Sequence, residues 1–540
     1  MEPDSPETTE GFHLLDATPR LGALHPDIEL TVADKLALAR QLDGFGVGFI
    51  DGGRPGVSAR DTEFFARCAT EPVLRHARLV AHCSPRSADR GAGDDLLLKA
   101  VLDCGAPVVS VAVTADIRQI PLALRTTPDE NVAALRETVA HLCAHGRRVF
   151  VACEHFFDGH RADPGYAREV AATAHTAGAE VVVLCDTNGG TLPAPTGAVV
   201  GDVRARTGAR LGIRAHDDSG CAVACTLAAV EAGATHLECT ANGYGERAGC
   251  ADLFPVVAAL ELKLGRTVLP EGSLGRMTAV SRAVARTVRL PPADHQPYVG
   301  ASVFARRVEL HPPVAEASPE LYRHIAPERV GNGGRTVVDE FAGPAALALK
   351  AHELGIDLGQ DGTLPDRALL RVREEQARGR CFAFADASLE LLLREVTAPE
   401  ATEETRPFTV EAWRSLVDQR ADGSVLSEVT VKVWAKGERT ISTAEGSSAV
   451  DALDRALRTA LERIHPALAA RVTLVDWRAV TVRPSIGAEP AGALTRVLAT
   501  FRADDIDWVT VGAAGDAVGA SCQALAEGYA YGLMCLSAGR

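Results

Sequence analysis

The sequence predicts an α/β chain: a (β/α)8 TIM barrel, then a helical linker region, then a small C-terminal α+β domain of regulatory type. Three observations carry this. Short β-branched runs alternate with amphipathic Ala/Leu stretches eight times in roughly 250 residues, the span of such a barrel. Each run ends in polar residues, as barrel strands do at their catalytic rim. From residue 408 onward the apolar period becomes two, the period of half-buried strands. An open doubly wound sheet is the rival. Even spacing of eight units favours closure, and no glycine-rich phosphate loop follows any strand.

In chain order, the expected strands are His13–Asp16, Gly46–Asp51, Leu79–His82, Val108–Val113, Val149–Cys153, Val181–Cys185, Leu211–Ala215 and His236–Thr240. Each is a short apolar run that stops in charge or hydroxyl. Helical spacing of apolar residues separates them, as in Thr31–Phe45, Asp129–His145, Tyr166–Ala177 and Ala222–Ala232. Residues just past each strand share one mouth: Asp16, Arg20, Asp51, His82, Glu154, Asp186, Thr187, Arg214, His216, Thr240 and Asn242. Alternate strand residues share a face, so Arg214 and His216 are expected to point the same way. About half of this ring is expected to be ordinary loop polarity. Arg20, Glu154 and His216 stand out because they sit beside apolar strand ends.

Beyond residue 275 the rhythm changes. Helical patterns at Met277–Val288 and Pro344–Leu354 are joined by Leu290-Pro-Pro-Ala and Val330-Gly-Asn-Gly-Gly. The stretch 275–400 is therefore read as helical linker, and 398–407 as a second boundary. Later strands are expected at 428–434, 439–443, 472–482, 494–501 and 508–511, with helices at 449–464 and 517–533. Strands followed by a helix, twice over, suggest internal duplication and a binding or assembly role. The resulting division is 1–10 disordered tail, 11–274 barrel, 275–400 linker and 408–540 regulatory or dimerisation domain.

Bulk properties narrow the function. A formal charge of −15 over 540 residues argues against nucleic-acid binding. Hydrophobic residues at 46% and charged residues at 24% are ordinary for a soluble globular protein. No apolar run is long enough for a membrane span and no signal-peptide pattern opens the chain. The 13 Cys, without CxxC pairs, suit reduced thiols in a cytoplasmic protein.

Several strings resemble the citramalate synthase and 2-isopropylmalate synthase family. They are Glu154-His-Phe-Phe-Asp-Gly, Leu184-Cys-Asp-Thr-Asn-Gly-Gly-Thr-Leu-Pro, Asn242-Gly-Tyr-Gly-Glu-Arg-Ala-Gly and His295-Gln-Pro-Tyr-Val-Gly-Ala-Ser. Val431-Lys-Val-Trp and Trp508-Val-Thr-Val-Gly resemble the regulatory domain of that family. The resemblance implies a Claisen-type condensation of acetyl-CoA with a 2-keto acid or dicarboxylate, followed by thioester hydrolysis. It implies a homodimer in which linker segments are exchanged. It implies catalytic roles for Arg20, Glu154, His311 and Tyr322, and a substrate contact from Thr187; the polar ring at the mouth adds Arg20, Arg214, His216, Thr240 and Asn242 as expected substrate contacts.

The chain departs from that pattern at the family's metal site. Leu21 stands for an Asp ligand, Arg214 for the first His of a His-x-His pair, and Cys250 for an Asn; His216 is retained. Leu24 stands for a Gln, and the loop after the fourth strand reads Ala112-Val-Thr-Ala-Asp-Ile-Arg. Leu has no lone pair and Arg stays protonated, so a divalent metal is not expected and acetyl-CoA is the expected co-substrate. Losing an anionic and a cationic group together keeps the count at +1. On that count the Arg214 guanidinium is expected to hold a carboxylate where relatives hold an ion. Two alternatives accompany this reading. One is an inactive paralogue that binds a small acid or an active synthase. The other is a repurposed aldol or decarboxylation lyase.

Overall fold

In the computed structural model, eight short parallel strands close into a barrel. The structure describes residues 11–537 apart from 72, 307–317, 340, 360–361, 399–406, 420, 467–470, 484–492 and 505. The strands are β1 His13–Asp16, β2 Phe49–Gly53, β3 Arg78–Cys83, β4 Val108–Thr114, β5 Arg148–Glu154, β6 Val181–Asp186, β7 Leu211–Ala215 and β8 His236–Cys239. They pair in sequence order, and β8 returns to β1. All eight expected strands are present.

Both faces of each strand are covered, which is why the runs are continuously apolar rather than alternating. Leu15, Phe49, Val80, Val108, Phe150 and Val183 fill the axis. Their neighbours Leu14, Ile50, Ala81, Val109, Val151 and Leu184 pack against the outer helices. Each fully buried aliphatic or aromatic side chain contributes about 1.5–3 kcal/mol. Among the outer helices, Val32–Phe45 is opened by a reciprocal Thr31–Asp34 capping box and closed by Gly46 at φ +106°. A Cβ at Gly46 would sit 2.4 Å from Pro270. The first residues of the expected second strand are thus a helix cap and turn, and β2 begins at Phe49.

The chain divides into two compact units, Met1–Phe304 with Arg323–Gly333, and Ala305–Tyr322 with Gly334–Arg540. The segment read as linker is shared between them: the helix Met277–Val288 lies in the first, and Pro344–Glu353, Thr363–Ala377 and Asp386–Thr397 lie in the second. The tail 1–10 and most of the boundary 398–407 lie outside the described residues.

The second unit carries two successive β-β-β-α repeats. Strands Thr409–Gln419, Val425–Ala435 and Glu438–Gly446 form one antiparallel sheet before the helix Ala449–Ile464. Strands Val472–Val482, Leu494–Ala503 and Ile506–Ala514 form the other before Ala517–Ser537. Val431, Val433, Leu457, Phe501, Leu525 and Tyr529 share one core. The first strand was not foreseen: it is an edge strand exposed along most of its length, so it lacks the alternation that marks its neighbours. No helix among the described residues is long and apolar enough to cross a membrane.

Candidate active site

Period-two alternation decides which strand-end residues face the barrel axis. Leu15 and Cys185 fill the axis. Asp16 and Asp186 therefore turn away from it and anchor loops. Asp16 accepts from the Thr18 backbone N–H at 2.8 Å, the Thr18 hydroxyl at 3.0 Å and the Ala241 N–H at 3.0 Å. Asp186 accepts from the Thr191 N–H at 2.9 Å. Neither belongs to the working ring into which the sequence placed it.

Two arginines do face the interior. Arg20 donates from Nε to Asp51 Oδ2 at 2.6 Å, while its buried Nη2 has no hydrogen-bond partner on the protein. Arg214, only 2% exposed, donates from Nη1 to Glu238 at 3.2 Å and from Nη2 to Glu154 at 3.3 Å. Arg214 and Glu238 sit directly opposite each other on β7 and β8. Behind Glu238, His236 Nε2 stands 3.4 Å away and His13 lies a further 3.5 Å along the axis. Burial drives the Glu238 carboxyl upward, but the hydrogen bond from His236 and the charge of Arg214 outweigh it and hold it at about 2.

This arrangement adds a term to the charge count. Arg214 points inward as expected, but the Glu238 carboxylate offsets one positive charge; its Nη atoms reach Glu238 and Glu154, while its buried Nε has no hydrogen-bond partner on the protein. Sequence reasoning missed Glu238. Its signal was a charged residue inside an apolar strand, two residues from His236 and two from Thr240.

His82 ends β3 on the axial side, nearly fully buried. Its Nδ1 lies 4.0 Å from Asp51 Oδ2 and has no hydrogen-bond partner on the protein. Burial, then the charges of Arg20, Arg214 and Arg54, keeps the imidazole neutral, well below its ordinary range. His82, Glu154, Arg54, Ser84, Thr114 and Asn131 line a cavity of about 330 Å³.

The positions of the family's metal ligands converge but are dissimilar in chemistry. Leu21 is packed into the axial cluster beside Cys250 and Phe49. His216 places Nδ1 3.3 Å from the Asp186 carbonyl and Nε2 3.6 Å from Glu246. Burial, helped by Arg214, lowers its imidazole to about 4. Burial pushes the Cys250 thiol up to about 11. The loop 242–250 folds over these residues. A Cβ at Gly249, φ +91°, would meet the Gly243 carbonyl at 2.0 Å, so only glycine fits. Arg247 clips that loop to Asp218 at 2.8 Å and to the Thr187 carbonyl at 2.7 Å.

The remaining expected residues separate. Thr240 is fully buried and its hydroxyl has no hydrogen-bond partner on the protein. Thr187 Oγ1 accepts from the His155 N–H at 2.8 Å, fixing the end of β6 against β5. Asn242 is spent: its amide donates to the Ser281 carbonyl and Tyr244 hydroxyl and accepts from Ser281 Oγ and Gln296 Nε2. All four of its hydrogen-bonding positions are used, so it clamps the loop and has none left for substrate. His311 lies outside the described residues. Tyr322, largely exposed, belongs to the second unit.

Comparison with known proteins matches the HMGL-like family model over residues 11–284 and the LeuA allosteric (dimerisation) domain over residues 383–533. The chain is 55% identical over 531 residues to an (R)-citramalate synthase of Streptomyces coelicolor, covering 98% of each chain. It is 40% identical over 539 residues to one of Synechocystis, covering 97% of each. A third, from Aquifex aeolicus, is 34% identical over 527 residues, covering 97% of this chain and 98% of that one.

These matches overturn the expectation that a divalent metal has no place here, because HMGL-like citramalate synthases are normally dependent on one. Of the four positions where the resemblance puts ligands, Leu21 and Arg214 have no lone pair to offer. They do not fit an ion, and one used by this chain must draw on donors beyond those four. Among the described residues, no three His, Cys, Asp or Glu side chains are grouped to hold one.

Proposed function

The chain belongs to the citramalate and 2-isopropylmalate synthase family, and on that footing we propose that it condenses acetyl-CoA with pyruvate to form citramalate. The observation that carries this reading is the end-to-end match to (R)-citramalate synthases, in both barrel and C-terminal domain. Acetyl-CoA is the co-substrate and a small 2-keto acid the acceptor. The reaction balances as acetyl-CoA plus pyruvate plus water giving citramalate, coenzyme A and a proton.

The side chains at the mouth divide this work. The acetyl methyl group loses a proton, and the resulting enolate carbon attacks the ketone carbon of the acceptor. The electron pair of the C=O bond moves onto oxygen. Arg20, aimed by Asp51 and with Nη2 unpartnered, stabilises that alkoxide. Thr240 offers its unpaired hydroxyl to the acceptor. Glu154 and Thr187 are the positions that the resemblance puts beside the acetyl carbonyl and the keto acid. Beyond the mouth residues, the resemblance makes His311, with Tyr322 as its partner, the proposed acid/base group. The match to the LeuA allosteric (dimerisation) domain supports a homodimer.

The test is thiol release from acetyl-CoA over a panel of 2-keto acids, with Mg²⁺ or Mn²⁺ supplied. Turnover highest with pyruvate is expected. Absence of turnover with every keto acid under every metal condition refutes the reading.

A further inference from the structure

We propose that His82 is a catalytic residue of this condensation, the general base that removes the proton from the acetyl methyl group. The inference rests on the condensation reading above and names a residue that the family resemblance did not.

The geometry is that of an oriented imidazole. Alternation puts His82 on the same face as Val80, which fills the axis, so the ring projects inward at the C-terminal end of β3. Its Nδ1 edge faces Asp51 Oδ2 at 4.0 Å, the same oxygen that receives Arg20 Nε at 2.6 Å. A lone pair on Nδ1 would be repelled by that carboxylate oxygen. The tautomer with hydrogen on Nδ1 is therefore favoured, and Nε2 carries the lone pair. Catalytic hydrogen bonds are often long in the free enzyme and shorten once substrate is bound. The residue lines the 330 Å³ cavity together with Glu154, the position placed near the acetyl carbonyl. A buried imidazole whose Nδ1 has no hydrogen-bond partner is costly to keep without a use. Burial, and then the charges of Arg20, Arg214 and Arg54, keep the resting ring neutral.

The step is balanced on these atoms. Nε2 takes a methyl proton: the C–H bond breaks, an N–H bond forms, and the electron pair enters the enolate. The enolate carbon forms the C–C bond, and the ketone π pair becomes an alkoxide facing Arg20. The imidazolium then passes its proton to that alkoxide, returning His82 to its starting state. Hydrolysis of the thioester follows and falls to other groups.

The experiment measures kcat, both KM values and the unfolding midpoint for His82→Phe, His82→Asn and His82→Ala, the last with and without added imidazole. His82→Phe and His82→Asn are expected to lose about 100-fold or more in kcat, with KM values within about threefold of wild type. Imidazole is expected to restore His82→Ala by about tenfold or more. A folded His82→Phe or His82→Asn protein with near wild-type kcat overturns the proposal. So does a loss confined to KM, or the absence of rescue. In each of those results the wild-type enzyme still condenses, so the synthase reading survives. A wild type without turnover removes both.

Discussion

Replacing Glu238 by Gln removes the charge opposite Arg214 without changing the shape of the side chain. Glu238 and Arg214 are each 2% exposed, and the second partner of Arg214, Glu154, sits at the open mouth where water screens it. Removing one member of a buried ion pair costs about 3–5 kcal/mol, because the survivor stays buried and uncompensated. A second route gives the same size. A carboxyl held at about 2 instead of 4.5 corresponds to roughly 3 kcal/mol of stabilisation at neutral pH. The sign follows from the depressed value: this contribution is present above pH 4.5 and is lost as pH falls toward 2. In a unit of this size, about 2 °C of melting temperature accompanies each kcal/mol. Glu238→Gln should therefore lower the barrel transition by roughly 6 °C at pH 7, and by less as pH approaches 2. Replacing both partners, Arg214→Met with Glu238→Leu, should recover more than half of the loss, since apolar side chains of similar volume substitute well for a buried pair. Calorimetry of the three proteins at neutral and acid pH measures this. A Glu238→Gln melting point unchanged at pH 7, or a double variant less stable than the single one, refutes the electrostatic account.

Other outcomes follow from the same geometry. Arg20→Ala should lower kcat/KM for thiol release by about 100-fold or more, because it removes the unpartnered donor facing the alkoxide; a tenfold smaller loss would place that donor elsewhere. Gly249→Ala should destabilise the loop over His216 by about 1–3 kcal/mol, since both its positive φ and the Gly243 carbonyl exclude a Cβ; limited proteolysis near Arg247 reads this out. Cys250, with its thiol near 11, should resist alkylation at pH 8 in the native protein and react only after unfolding, as mapped by mass spectrometry. Asn242→Ala should cost stability rather than acceptor affinity: a raised KM for the keto acid with an unchanged melting point would contradict its role as a clamp.

Much of the first unit was legible because its signals are local. An apolar run such as Val181–Cys185 marks a strand wherever that strand packs, and eight of them in even spacing leave few topologies. The mouth residues Arg20, Glu154 and His216 were legible for the same reason, as polar groups close to the ends of such runs. The edge strand Thr409–Gln419 was not, because a strand exposed on most sides writes no pattern into its sequence. Asp16 and Asp186 looked equivalent to Asp51, and only the alternation set by Leu15, Phe49 and Cys185 on the axis separates them. The metal expectation failed at a different level. Leu21 and Arg214 are correctly read as poor donors, but four positions do not define what a whole family's chemistry requires.

The sequence by itself determined the barrel, the order of its strands and the chemical types gathered at one end. Tertiary structure alone decided their partners. Arg214 looked like an open anion site until β8 was placed beside β7 and Glu238 came opposite it in register. His82 became a candidate base only once closure of the sheet set Asp51 against its Nδ1. Charge pairing falls off over a few ångströms, and those distances exist only after strands far apart in the chain have been brought side by side.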